Sequence, residues 1–241
     1  EDIYMKNPDG PYPGRQIFIG ITAEQKPCFA YLVTGRSPGS RERKAIQIEN
    51  LVRIGPVAST EYDPLRHYAA IKFDNTSKVA AISNGIQTEA VYEMYKLILN
   101  TSNSPGIDYM EKVLEGAGAE PDSYHTPRIA AVVTPSADKS QFVYIIGIKN
   151  YTQPAKASIV SAQPGNLYGV STYKGSLENP EGRDSNSVLS QIELKPVTAE
   201  EIASYVFKIS EAEHDGNDIR VCTVAGVYDN EEWKLAVKNV N

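Results

Sequence analysis

Short runs of β-branched and aromatic residues, each bounded by Gly, Pro, Asn or Asp, recur along the chain and predict strands. They fall at residues 17–21, 29–34, 45–48, 52–54, 68–73 and 79–83, and again at 129–134, 142–148, 158–161 and 167–173. Most connections between them are too short to hold a helix, so a meander of antiparallel strands is expected. Three stretches carry helical spacing instead. Residues 87–99 place Val91, Met94, Tyr95 and Ile98 near one face, with Thr88 as the expected cap. Residues 107–114 are expected to stop at Gly116. Residues 198–209 open on T-A-E-E, a capping box, and place Ile202, Tyr205, Val206 and Ile209 on one face. Strand meanders broken by a few helices predict an α+β fold in which helices cover antiparallel sheets, in one domain over residues 1–241. The Pro/Gly/Ser/Asn-rich stretch 174–187 reads as a long surface loop, either a lid or a spacer.

Composition narrows the function classes. The chain has 241 residues, 41% of them hydrophobic, which suffices for one core without disulfides or a structural metal. A formal net charge of −6 repels nucleic acid and anionic lipid, so neither is an expected partner. Any anion site must therefore be local. Cys28 and Cys222 each lie in an apolar run and read as small buried hydrophobes, which fits a reducing, cytoplasmic setting. The stretch EDIYMKNPDG shows no secretion signal, and nowhere do 18 apolar residues run together. No metal or cofactor is expected. The histidines lack zinc-site spacing, GAGAEP at 116–121 follows a helix rather than a strand and reads as a helix stop and turn, and no P-loop or G-x-S-x-G is present.

Against this acidic background, GRSPGSRERK at 35–44 stands out. Arg36, Ser37, Ser40, Arg41, Arg43 and Lys44 can supply several charge-assisted hydrogen bonds to a phosphate, while a solvated hairpin tip explains the same residues equally well. NPDGPYPGRQIFIG turns tightly and delivers Arg15 to the first strand. SNGIQT at 83–88 runs from a strand into a helix, so the backbone at Asn84 and Gly85 and the Thr88 hydroxyl face either an anion or only a structural turn. HTPRIAAVV places Thr126 and Arg128 at the mouth of a strand, where an arginine also serves as a surface anchor. Tyr68 and Lys72, four apart, are expected on one face of a strand, and either can be packing.

Taken in order, PYPGRQIFIG, GRSPGSR, SNGIQT, HTPRIAAVV and STYKG resemble the archaeal-type IMP cyclohydrolases and their bacterial relatives, from about residue 10 to about residue 230. The resemblance implies a four-layer αββα sandwich like that of the N-terminal-nucleophile hydrolases. It also implies ring closure of 5-formamidoimidazole-4-carboxamide ribonucleotide to IMP without a cofactor. A purine nucleotide monophosphate is then the expected ligand and a homo-oligomer the expected assembly. Carried onto this chain, the resemblance makes Arg41 and Arg15 the holders of the phosphate or of the charged part of the substrate, with Arg36 and Ser37 alongside. Tyr68 and Lys72 become the proton-transfer pair, and Asn84, Gly85 and Thr88 orient the carboxamide or formyl oxygen. Thr126 and Arg128 complete the base-facing wall. An acid is expected just upstream of the T-P-R triplet; Asp122, four residues before Thr126, is the candidate. Its displaced position keeps open a rival reading, a nucleotide-binding relative that has lost catalysis.

Overall fold

Residues 6–58, 61–101 and 103–240 are described by a computed structural model of the chain. The first five residues of the stretch read above for a signal lie outside them. The chain forms β1 (Arg15–Ile21) and β2 (Pro27–Thr34), makes one helical turn, α1 (Pro38–Arg41), and continues into β3 (Arg43–Ile48), β4 (Leu51–Pro56), β5 (Tyr68–Phe73) and β6 (Ala80–Ser83). Helices α2 (Thr88–Asn100) and α3 (Ile107–Ala117) follow, then β7 (Arg128–Pro135), β8 (Phe142–Lys149), β9 (Lys156–Ile159) and β10 (Asn166–Ser171). A hairpin of β11 (Tyr173–Gly175) and β12 (Pro180–Gly182) precedes β13 (Ser190–Glu193) and α4 (Ala199–Ile209). The last described elements are β14 (Glu213–His214), β15 (Asn217–Asp218), β16 (Arg220–Asp229) and β17 (Glu232–Asn239).

The short connections produce the expected antiparallel pairing. Strands β3 to β9 form a seven-stranded meander in sequence order, and a six-stranded sheet runs β13-β10-β1-β2-β16-β17. Three strands of the second sheet, β13, β16 and β17, lie beyond the last run predicted from the sequence. The two sheets pack face to face: Ile17, Ile19, Phe29 and Tyr31 of one meet Ile54, Ile71, Ile82 and Ile129 of the other in a shared core. On the outer face of the six-stranded sheet, Phe18, Ala30 and Leu32 meet Ile202, Val206 and Ile209 of α4. On the outer face of the seven-stranded sheet, Ala81, Val132 and Ile145 meet Val91 and Tyr95 of α2 and Met110 and Leu114 of α3. The architecture is α+β, with helices on both outer faces of two antiparallel sheets.

Local chemistry sets the helix ends. Thr198 caps α4 as expected, its hydroxyl accepting from Glu201 N while the Glu201 carboxylate accepts from the Thr198 backbone, an arrangement worth about 1 kcal/mol. Helix α3 runs through Gly116 and stops instead at Gly118, whose φ of 66° is the left-handed conformation that ends helices cheaply at glycine. Thr88 is not the cap of α2; Gln87 holds that position. The Thr88 hydroxyl donates instead to the Ala69 carbonyl at 2.6 Å, tying the helix to β5.

One irregularity matters for the site. Ile71 pairs with Val52 and Ala69 with Arg53, so Ala70 is an extra residue in β5. Such a bulge breaks the period of two. Tyr68 faces the core between the sheets, whereas Lys72 faces α2.

Candidate functional site

Antiparallel pairing collects one set of strand ends. The starts of β1, β3, β5 and β7 and the ends of β2, β4, β6 and β10 lie together at one end of the sandwich. There the Tyr31 and Tyr68 hydroxyls meet at 2.7 Å and join the two sheets. A cleft of about 570 Å³ opens at this end, lined among others by Tyr12, Arg15, Arg36, Arg43, Arg66, Glu120 and Tyr173. Its volume lies within the roughly 300–1,000 Å³ of small-molecule sites.

The floor is organised by Glu120. Its carboxylate, 2% exposed, accepts from Arg15 Nη2 at 2.7 Å and from Asn84 Nδ2 at 3.0 Å, and Arg128 Nη1 lies 3.6 Å away. Burial raises the Glu120 pKa above its ordinary value, while Arg15 and Arg128 pull it back. Burial works against the Arg15 charge as well, but Glu120 leads the groups that outweigh it, and Arg15 is held firmly charged. Asn84 is fully used: its amide also donates to the Pro127 carbonyl, and its oxygen accepts from Ile129 N and Gln87 Nε2. Gly85 serves Arg128, because a Cβ there would stand 2.0 Å from Arg128 Nη1.

Two phenols flank this floor. Burial raises the pKa of Tyr68, with Arg15 and Arg43 opposing, and pushes that of Tyr173 up to about 12. Both are neutral proton donors at physiological pH. Tyr173 OH bonds Thr126 Oγ1, which in turn donates to Asp122 Oδ2; Asp122 Oδ1 accepts from Thr126 N at 2.8 Å. Since the threonine has one proton, already directed to Asp122, Tyr173 donates to it. The Tyr173 ring stacks on Tyr12, with centroids 5.7 Å apart.

The arginine turn forms the rim. Ser37 caps α1, and Arg36 donates to the Leu177 carbonyl at 2.7 Å while lying over the rings of Tyr12 and Tyr124. Arg43, 2% exposed, donates through Nε to the Ser40 carbonyl. Its Nη1 and the Arg15 Nε are buried without a hydrogen-bond partner among the described residues. Neither Arg36 nor Arg43 has a carboxylate within ion-pair distance among those residues, whereas Arg66 is paired with Asp63 at 2.6 Å. Buried N–H donors left unpaired are costly, and both side chains line the same cleft, which suits it to an anion.

Of the residues singled out from the sequence, Arg15, Arg36, Ser37 and Asp122 line the cleft. Asn84, Gly85, Thr126, Arg128 and Tyr68 stand directly behind that lining, bonded to it, close against it or held by the Tyr31 hydroxyl. Three do not join them. Lys72 lies over the Tyr92 ring and bonds Glu93 Oε1 at 2.9 Å, on the α2 side of the sheet. Thr88 is consumed by Ala69 and Ser83. Arg41, carried round by the helical turn, bonds the Arg36 carbonyl, and Arg43 takes the place at the cleft. Sequence reasoning missed Glu120, hidden in a segment that reads as a helix stop, named Arg43 only as one of six possible phosphate donors, and gave Tyr173 no role although it sits in a quoted motif.

Every one of these residues falls inside a match to the family model for IMP cyclohydrolase-like protein, which covers residues 12–232. The chain belongs to the IMP cyclohydrolase-like family. A protein named IMP cyclohydrolase from Methanocaldococcus jannaschii is 31% identical over 229 residues, 94% of this chain and 98% of that relative. One of the same name from Methanococcus maripaludis strain C7 is 28% identical over 228 residues, 93% of this chain and 98% of the relative. A third, from Methanococcus aeolicus, is 28% identical over 165 residues.

Proposed function

We propose that the protein is an IMP cyclohydrolase that closes 5-formamidoimidazole-4-carboxamide ribonucleotide to IMP and water, as one domain over residues 1–241 with a sandwich like that of the N-terminal-nucleophile hydrolases. The observation that carries this is the buried Glu120 carboxylate held by Arg15 and Arg128 in the floor of an anion-suited cleft, in a chain of this family. The carboxamide nitrogen attacks the formyl carbon and loses one proton as the formyl oxygen gains one, giving a carbinolamine. The C–O bond then breaks, the neighbouring ring-substituent nitrogen gives up its proton, and water leaves. Both reacting groups sit in one molecule, so holding them in the attacking arrangement supplies about 7–11 kcal/mol.

The residues divide the remaining work. Glu120, with its pKa lifted toward neutrality by burial, takes the carboxamide proton. Tyr68, kept protonated by burial, donates to the formyl oxygen as charge builds on it, and Arg15 stabilises that charge. Tyr173 and Thr126 orient the carboxamide. The unpaired donors of Arg43, with Arg36 and Ser37 nearby, hold the phosphate. Glu120 favours this reading over a non-catalytic relative, since a second acid near the T-P-R triplet stands in the floor while Asp122 bonds Thr126. The test is direct: pure protein is mixed with the formyl ribonucleotide and IMP formation is followed by absorbance. A rate no greater than the uncatalysed one, with IMP still bound in calorimetry, would overturn the enzyme reading.

A further inference from the structure

We propose that Asp9 and Arg183 form a buried positioning pair that aims Tyr173 into the cleft. The inference rests on the cyclohydrolase reading of that cleft. Neither residue lines it, and the stretch 174–187 that carries Arg183 reads in the sequence only as a lid or spacer.

The structure ties that stretch down at both ends. Arg36 holds the Leu177 carbonyl, and Arg183 reaches back across the outer side of the six-stranded sheet. Arg183 Nη2 bonds Asp9 Oδ1, and its Nε donates to Ser171 Oγ at 2.8 Å. The Ser171 hydroxyl, accepting from Arg183, donates to the Tyr173 carbonyl at 2.8 Å. The chain of bonds therefore runs from Asp9 through Arg183 and Ser171 to the backbone of the residue whose phenol flanks the cleft.

The Asp9 end is anchored equally well. Asp9, 5% exposed, accepts from Gln16 Nε2 and from Ser190 Oγ. Gln16, fully buried, adjoins Arg15 and pairs in register with Ser171; its oxygen accepts from Asn7 Nδ2, which also donates to Ser210 Oγ behind α4. On the other side, Arg183 N donates to the Thr172 carbonyl, and Thr172 N to the Arg15 carbonyl. With the Asp9 side chain 2% and the Arg183 side chain 14% exposed, the ion pair is costly to assemble, and its presence is explained if it fixes geometry rather than adding stability. Two loops that are remote in sequence, at Asp9 and Arg183, thereby share one fixed relation to Tyr173.

A double-mutant cycle between Arg183 and Tyr173 tests the aiming, read by turnover. Arg183→Met is expected to lower kcat about tenfold, the size of one lost charge-assisted hydrogen bond. In a Tyr173→Phe background, which has already lost the phenol being aimed, the same change is expected to cost less than about twofold, on the usual logic of coupled sites. A purely structural role predicts equal losses in both backgrounds, and that result would overturn the proposal, as would an Arg183→Met protein that folds and turns over normally. Ser171→Ala removes the hydroxyl that links Arg183 Nε to the Tyr173 carbonyl, keeps the Asp9–Arg183 ion pair, and serves if Arg183→Met does not fold; the same coupling is expected. Wild-type protein that binds IMP without turnover would refute the cyclohydrolase reading instead, and the cycle would then be read as IMP affinity, with the same two outcomes.

Discussion

Replacing Glu120 with Gln removes one charge and almost no volume, so it isolates what the carboxylate does. In the native floor that charge stands 2.7 Å from Arg15 Nη2 and 3.6 Å from Arg128 Nη1, at 2% exposure. Each such contact is worth about 4 kcal/mol at an effective dielectric of 20, and desolvation of the three ions offsets much of it. With the Glu120 pKa raised, burial outweighs what the two arginines return to the charge, so a neutral amide relieves a desolvation cost even as it leaves two guanidinium groups without a counter-charge. A domain has roughly 5–15 kcal/mol of stability, so Glu120→Gln is expected to stay folded at 25 °C, with a melting temperature that approaches that of wild type at low pH and departs from it as pH rises. As the proton acceptor, its loss should cut kcat by about 10²–10⁴-fold. The pH profiles carry the sign. Burial raises the Glu120 pKa in the folded state, so its contribution to stability is full below the unfolded carboxylate value of 4.5 and is lost as pH rises through the folded value. Turnover needs the ionised form, so the acid limb of kcat should lie above pH 4.5 and should vanish in the glutamine variant. Steady-state kinetics and thermal melts across pH measure both, and a Glu120→Gln enzyme within about threefold of wild-type kcat would refute the assignment of the base, for which a factor of 10²–10⁴ is expected.

Tyr68→Phe should lower kcat by about 10²-fold with KM little changed, while Lys72→Met, which breaks only a half-exposed pair with Glu93, should cost under about 1 kcal/mol and leave turnover alone; kinetics on the two variants check both. Arg43→Ala should raise KM about 10–100-fold by removing charge-assisted bonds to the phosphate, and Arg41→Ala should not; equal effects at the two positions would return Arg41 to the site. Gly85→Ala places a methyl against the Arg128 guanidinium, so it should cost about 1–3 kcal/mol in a urea melt and lower turnover as Arg128 moves off Glu120.

The parts of this molecule that were legible in the sequence are those whose cause is local. The Thr198 capping box, the strand runs at β1, β2, β5 and β7, and the helical faces of α2 and α4 all follow from residues within a few positions of one another. What failed depended on partners far along the chain. Tyr68 and Lys72 part company because Ala70 is an extra residue opposite β4, and nothing in YAAIKF marks it. Thr88 looks like a cap until the Ala69 carbonyl arrives from β5 to claim its hydroxyl. Glu120 follows a helix-stop glycine at an unremarkable position, and only the meeting of Arg15, from β1, with Arg128, from β7, gives it meaning. The signal for it was an acid beside proline six residues upstream of Thr126, but Asp122 lies nearer.

The cleft also shows why the overall charge of the chain was a poor guide to its ligand. Four arginines line it, yet Asp63, Glu120, Asp122 and Asp215 line it too, so its formal charge is close to balanced. Selectivity for an anion cannot then come from net potential. It comes from which donors remain uncommitted: Arg66 is spent on Asp63 and Arg15 Nη2 on Glu120, whereas Arg43 Nη1 and Arg15 Nε are buried and unanswered among the described residues. On the proposed reading a phosphate oxygen at Arg43 Nη1 and the charged formyl oxygen at Arg15 would each relieve a desolvation cost of about 1–3 kcal/mol, a gain open only to a ligand that reaches that depth. An acidic protein can in this way repel polyanions at its surface and still hold one small anion in its floor, and the same pairing that neutralises Arg15 leaves Glu120 positioned as a base beside it.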